Sequence, residues 1–375
     1  MARLFHDGFE LARPNTSGGS GSATPIVHEG LWYAQANSDS SPSWGTGNIH
    51  CLSGNRTGGL GERILRISVT STYGADPYTW RNLGDGIPLN DEHFGRAYFM
   101  FSLGRATMLF LQSDNTQLVR LTRTSTGSLE VRVLNNVVGE TIVTDLDVWY
   151  RLEWHFVYDD VNGLLEIRID GNSLFEYHGD TKGSTTKGFN RLRFGFQSLA
   201  TQCTVWYDDI ALNDVTGGVN DTWVGSGSCL LLKPKAAGTY TEWTASNETY
   251  DNWEMVDEVP HDGDSTYVAS VVPDEIDSYK TEELVADYAL SPALGISSVK
   301  AVQAVFHGRW EDSDVDITPL LVSGGNIQHG DLIHAPSTYM PASQYVFNIN
   351  PFTNLPWTFG EVDALEVGAQ HKARE

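Results

Sequence analysis

The stretch "WYRLEWHFVYDDVNGLLEIRIDGNSLFEYHG", Trp149–Gly179, decides how the chain folds. Leu152, Trp154, Phe156 and Tyr158 alternate with Glu153, His155 and Val157. After "DDVNG", Leu165, Ile167 and Ile169 alternate with Glu166, Arg168 and Asp170. A period of two puts one set of side chains in a core and the other on the outside of a β-sheet. Asn-Gly and Asp-Gly are turn dipeptides, because both tolerate the left-handed backbone a tight hairpin needs. The stretch therefore predicts a hairpin followed by a second turn at Asp170-Gly171, with Glu153 and His155 facing solvent.

Working outward, "ERILRISVTS", "GRAYFMFSL", "TMLFLQSD", "QLVRLTRTS" and "SLEVRVLNN" precede this unit, and "RLRFGFQS" and "CTVWYDDIALND" follow it. Each is short and bounded by Gly, Asn, Asp or Ser, the signature of an all-β sandwich. "PNTSGGSGSATP", Pro14 to Pro25, is low-complexity and reads as a surface loop. At period two, Trp206, Asp208 and Ile210 share one face, so Asp208 needs hydrogen-bond partners there or serves as a calcium ligand. "FHDGFE", the Trp149 hairpin and "VWYDDIALND" together resemble the concanavalin A-like, laminin-G-like lectin jelly rolls common in bacteriophage virion proteins, over about Leu4 to Asp214.

The seam "NDVTGGVNDTWVGSGSC", Asn213 to Cys229, has linker composition. Residues 1–215 are expected to form the jelly roll, 216–228 a linker and 229–375 a second β-sandwich. Strand patterns resume with "SCLLLKPKAAG", and "VKAVQAVFHGRW" reads as a long, mostly buried strand. Near the C-terminus Thr358 precedes Glu361 by three positions, a capping box, and Val362 and Leu365 make a short apolar stripe. A one- or two-turn helix leading into a final strand follows from this. "NWEMVDE" with "DGD" and "TYV", then "NPFTNLPWTFGEVDALEVG", resembles the C-terminal β-sandwich of tailed-phage virion structural proteins, over about Leu230 to Gln370. The fold class expected is thus all-β, two β-sandwich (jelly-roll) domains with one short helix near the C-terminus.

Charge excludes some functions. The chain has 24 basic and 48 acidic residues and a net charge of -24, so no nucleic-acid partner is expected. No run of about 18 apolar residues is present, and the N-terminus lacks an apolar signal core, so neither membrane insertion nor Sec export is expected. The three cysteines, Cys51, Cys203 and Cys229, read as reduced thiols.

Candidate sites are of two kinds. "VDEVPHDGDSTYV" gathers Asp257, Asp262 and Asp264, and "WEDSDVDI" puts Asp312, Asp314 and Asp316 on one strand face. Each set either holds a structural calcium ion or is solvated, the first as a strand connection between Val256 and Ser265, the second as protection of a sheet edge. No other cofactor is implied. Trp32, Trp44, Trp80 and Trp357 lie in loop-like contexts, where an indole face could stack on a sugar ring or fill a core. His329 and His334 flank Asp331 in a further possible cation site.

Catalytic signatures are weaker. Retaining glycoside hydrolysis needs two carboxylates about 5 Å apart. "EIDSYKTEE" offers Glu275 and Asp277, but Tyr279 and Lys280 stand where a further Glu belongs. No catalytic residue is named, and a non-enzymatic chain is expected. The resemblance implies a phage virion structural protein on the particle surface, a capsid decoration, head fibre or tail appendage adhering to host glycans. Its partners would be other virion proteins and host surface glycans, and it would form a homo-oligomer. A polysaccharide depolymerase and a purely cementing protein remain as alternatives.

Overall fold

The computed structural model describes residues 3–7, 33–35, 47–53, 56–57, 59–60, 63–69, 77–83, 91–196, 202–259, 262–290, 298–309, 315–330, 332–334 and 340–373. The chain divides into two compact units, Met1–Leu230 and Leu231–Glu375.

The first unit is a sandwich of two antiparallel sheets. In sheet one the order is β13 (Asn172–Gly179), β12 (Gly163–Ile169), β11 (Tyr150–Val157), β6 (Glu92–Leu103), β15 (Cys203–Asp214), β4 (Arg63–Val69), β3 (Gly47–Ser53). Strand β1 (Arg3–Asp7) also pairs with β15. Sheet two runs β10 (Asn136–Val143), β9 (Ser128–Val133), β8 (Thr116–Arg123), β7 (Ala106–Ser113), β14 (Arg191–Gly195), β5 (Tyr78–Asn82), β2 (Tyr33–Gln35).

The core between the sheets contains the residues that alternation assigned to it: Leu152, Trp154, Phe156, Leu165, Ile167 and Ile169 from sheet one meet Leu109, Leu111, Val119, Leu121, Val131 and Phe194 from sheet two. Asp170 and Gly171 take φ of 52° and 86°, the left-handed pair that closes β12 onto β13. The preceding turn is wider than an Asn-Gly pair: the Asp159 carboxylate accepts the Val161 and Asn162 amides at 2.7 and 2.6 Å. Gly95 lies within β6 opposite Trp154, and a Cβ there would fall 1.9 Å from the indole, so only glycine lets the ring close over the strand.

Three sequence expectations change here. A β-bulge at Asp209, φ 49°, breaks the period in β15, so Ile210 turns into the core while Asp208 stays with the buried polar groups. The stretch expected to be a linker packs on sheet one. Trp223 meets Phe94 at 5.3 Å and lies under the Arg168 guanidinium at 3.6 Å. The Gly225 amide donates to Glu153 at 2.7 Å, and its carbonyl accepts from Arg96 at 3.1 Å. Glu153, expected to face solvent, is therefore buried.

The second unit is also β-structure. Its largest sheet has the order β16 (Pro234–Thr241), β19 (Ile276–Thr281), β25 (Glu366–Ala373), β21 (Val315–Ser323), β22 (Asn326–His329), with β23 (Ile333–His334) also on β21. Two ribbons accompany it, β17 (Thr244–Ala245) with β18 (Val268–Ala269), and β20 (Val302–Gly308) with β24 (Met340–Phe347). The helix α1, Phe359–Asp363, forms where the capping box placed it: the Glu361 amide donates to Thr358 Oγ1 at 3.3 Å, and the Thr358 amide to Glu361 at 2.8 Å. Asn252–Met255, in the stretch "NWEMVDE" whose pattern reads as a strand from Trp253 to Val256, is instead one 3-10 turn, since Glu254 reaches back to accept the Asp251 amide at 2.9 Å.

Candidate functional site

The outer face of sheet two, away from the core, carries a set of aromatic and charged side chains aligned by strand register. Strand register aligns them in one row across five strands: Trp80 opposite Arg193, Arg193 opposite Phe110, Phe110 opposite Arg120, Arg120 opposite Arg132. With neighbouring strands about 4.8 Å apart, the four gaps from Trp80 to Arg132 span about 19 Å. Flanking the row on the same face are Tyr78, Arg191, Gln112, Gln117, Thr122 and Glu130.

Local sequence explains why such residues stand there. "QLVRLTRTS" and "SLEVRVLNN" alternate aliphatic and polar positions, so once Val119, Leu121, Val131 and Val133 enter the core, Arg120, Glu130 and Arg132 must point outward. Phe110 breaks this pattern. It is 1% exposed yet lies outside the core, and the Arg193 guanidinium covers its ring at 4.5 Å. Arg193 also stacks on Tyr78 at 3.5 Å and donates to the Phe196 carbonyl at 2.7 Å, which fixes it between two rings. Tyr78 and Trp80 lie 5.4 Å apart, and Arg191 approaches Trp80 at 5.8 Å.

At the other end of the row, Arg132 pairs with Glu130 at 2.6 Å. Arg120 has a buried Nε with no hydrogen-bond partner among the described residues. Burial, and then repulsion from Arg132, lower its pKa from the ordinary arginine value. Next along, Glu130 stands directly opposite Glu140 of β10, and Glu140 accepts from Ser128 Oγ at 3.1 Å. Residues directly opposite have Cβ atoms about 4.5–5.5 Å apart, so the two side chains start side by side at one end of the arginine row, Glu130 turned to Arg132 and Glu140 to Ser128.

The sequence candidates distribute unevenly. Trp80 lies in the row and is half-buried. Trp357 is 3% exposed and donates to the Phe347 carbonyl at 2.9 Å, so it is a core side chain of the second unit and cannot stack on a ligand. Trp32 and Trp44 lie outside the described residues, as do Asp312, Asp314 and Asp331. Asp316 is buried in β21, which has β25 on one side and β22 and β23 on the other, so it does not guard an edge. Asp262 accepts the Thr266 amide at 3.1 Å and Asp264 pairs with Arg309 at 2.8 Å, and these two carboxylates are not brought together with Asp257. Among the described residues no group of three or more His, Cys, Asp or Glu could hold a metal ion. Glu275 accepts from Ser270 at 2.7 Å, while the buried Asp277 accepts from Tyr279 Oη at 2.6 Å and Asn252 at 2.8 Å, which are structural uses of both carboxylates.

Sequence reading missed the arginine row. Its signal was present as Arg120, Arg132 and Arg193 at alternate positions, but which strands lie side by side is not written in any one strand.

No family model and no curated protein sequence matches the chain. Among solved structures it is similar to an endo-β-1,4-glucuronan lyase from the fungus Trichoderma reesei, with 15% identity, a TM-score of 0.40, and coverage of 60% of this chain and 100% of the lyase. An alginate lyase in complex with an alginate trisaccharide has 10% identity and a TM-score of 0.37, over 57% of this chain and 99% of that one. A carbohydrate esterase from a Shiga toxin-encoding bacteriophage has 16% identity and a TM-score of 0.33, over 48% of this chain and 89% of the esterase. The expectation of a non-enzymatic chain stands against this finding: all three neighbours are carbohydrate-active enzymes. At such identities and TM-scores, the substrates and activities named are those of the neighbours.

Proposed function

We propose that the protein engages a polysaccharide across the outer face of sheet two and cleaves it there. The observation that carries this is the row Trp80–Arg193–Phe110–Arg120–Arg132, which presents a half-buried indole at one end and two half-buried guanidinium groups at the other, with Arg193 and Phe110 buried between them, over a length suited to several sugar rings. Aromatic faces take up the apolar side of a pyranose, and guanidinium groups orient its hydroxyl and acidic substituents. Glu130 and Glu140 are the residues proposed for bond cleavage, because they stand opposite each other on neighbouring strands at one end of the row, and a retaining hydrolase works with two nearby carboxyl groups.

The sequence resemblance supports placing this activity on a bacteriophage particle, with other virion proteins and host surface glycans as partners and a homo-oligomer as the working form. Many copies on one particle would raise the avidity of each weak glycan contact. The test is incubation of the full chain with a panel of bacterial surface polysaccharides, following both reducing-end release and the ultraviolet absorbance of unsaturated products. Reducing ends without new absorbance, lost in Glu130→Gln and Glu140→Gln, are expected. Absence of both signals across the panel would remove the cleavage reading, and new absorbance retained in both variants would move the chemistry away from this carboxylate pair.

A further inference from the structure

The chain as a whole repels anions, since its net charge is -24. The outer face of sheet two has the opposite balance. Arg120, Arg132, Arg191 and Arg193 stand on it against Glu130 and Glu140. Local sign reversal of this kind needs a reason, because an acidic protein gains nothing in solubility from gathering its scarce cations on one sheet face.

The arginines differ in how they are held. Arg132 is paired with Glu130, Arg193 is locked between Tyr78 and Phe110, and Arg191 donates to Asn115 at 2.6 Å. Arg120 lies between Phe110 and Arg132 in register, with a buried Nε that has no partner among the described residues. A buried donor without a partner is unfavourable unless something else satisfies it. Exposed arginine can leave this task to water, but a half-buried guanidinium beside a second cation is better satisfied by an anion. Carboxylate and sulfate both match the planar fork of donors that arginine presents.

Resting on the polysaccharide reading above, we infer that the polysaccharide is anionic and that Arg120, with Arg132 beside it, receives a carboxylate or sulfate group of one sugar while Trp80 takes the apolar face of another. The row thereby selects charge at one end and ring shape at the other. Arg193 acts as a positioning residue, held by its two rings so that Phe110 stays closed beneath it.

The experiment is binding of the full chain to alginate, dextran sulfate and uncharged dextran by isothermal calorimetry, with Arg120→Gln, Arg132→Gln and Trp80→Ala beside the unaltered protein. Lys182→Gln, in the loop that crosses from β13 to β14, removes one positive charge elsewhere. Expected results are binding of at least one polyanion about tenfold tighter than dextran, a loss of about tenfold in Arg120→Gln, a smaller loss in Arg132→Gln, and none in Lys182→Gln. Alginate without dextran sulfate identifies a carboxylate as the recognised group, and the reverse identifies sulfate. Trp80→Ala should weaken charged and neutral polymers alike. Dextran binding as tightly as both polyanions, with loss only in Trp80→Ala, overturns the anion inference and leaves the polysaccharide reading standing. Binding of none of the three overturns the inference, while the separate cleavage panel judges the wider reading. A melting temperature within a few degrees of the unaltered protein in Arg120→Gln confirms that lost binding is not lost folding.

Discussion

Three residues at the bulge in β15 show how one side chain can serve both fold and stability. Arg56 Nε pairs with Asp209 at 2.7 Å, and both side chains are nearly inaccessible. The same guanidinium donates to the Gly227 carbonyl at 2.9 Å and Ser228 Oγ at 3.0 Å. Removing one partner of a buried ion pair leaves the other charge uncompensated, which typically costs about 3–5 kcal/mol. Asp209→Ala is therefore expected to lower unfolding free energy by about that amount, measured by urea denaturation. Asp208 behaves differently: burial first, and then the neighbouring Asp209 charge, push its carboxyl up to about 8. Its pKa in the unfolded chain is near 3.9, so between roughly pH 4 and pH 8 the folded state holds a proton that the unfolded state has released. Stability from this group is complete below pH 4 and is lost as pH rises through 8. Asp208→Asn removes the ionisation, and the stability of the variant relative to the unaltered protein should rise steadily between pH 5 and pH 8 in denaturant titrations.

At the scale of elements, the segment after β15 acts as a strap over sheet one rather than as a free connector. Trp223 is gripped by Phe94, by His155 at 6.0 Å and by the Arg168 guanidinium at 3.6 Å, and Glu153 and Arg96 hold the backbone at Gly225. Its composition reads as linker because Gly, Asn and Ser supply the turns, while the contacts come from a single Trp and from side chains more than fifty positions away. Trp223→Ala should lose aromatic packing and a cation–π contact worth about 2 kcal/mol together, since the ring is only part-buried. Equilibrium unfolding would show this, and unchanged stability would mean the strap is held by its backbone hydrogen bonds alone. The hairpin from β11 to β13 and the capping box of α1 were legible because each depends on neighbours within about ten positions. The bulge at Asp209 was not, since a single left-handed residue leaves the polar and apolar letters in place while turning Ile210 into the core.

For the whole molecule, the contrast between a strongly acidic chain and a cationic sheet face sets how a polyanion would reach it. Raising salt from about 0.1 M to about 1 M shortens the Debye length from about 10 Å to about 3 Å. Long-range repulsion from the rest of the protein is then screened together with attraction to the arginine row. The short-range contact should dominate, so polyanion affinity is expected to fall by roughly tenfold over this range, with binding of an uncharged polymer unmoved. Calorimetric titrations at both salt concentrations would check this, and equal salt sensitivity for both polymers would remove charge recognition from the row.

The sequence by itself determined the all-β class, the alternation that divides core from surface in sheets one and two, the hairpin at Trp149–Gly179 and the capped helix before the last strand. These follow from period-two patterning and from short-range hydrogen bonds, which neighbours along the chain decide. Tertiary structure alone decided which strands lie side by side, and with that it aligned Trp80, Arg193, Phe110, Arg120 and Arg132 and set Glu130 against Glu140. It also buried Trp357 and Asp316, which sequence context had left open to ligands. Strand order and register arise from the packing of two whole sheets around a shared core, and no local stretch of residues contains that information.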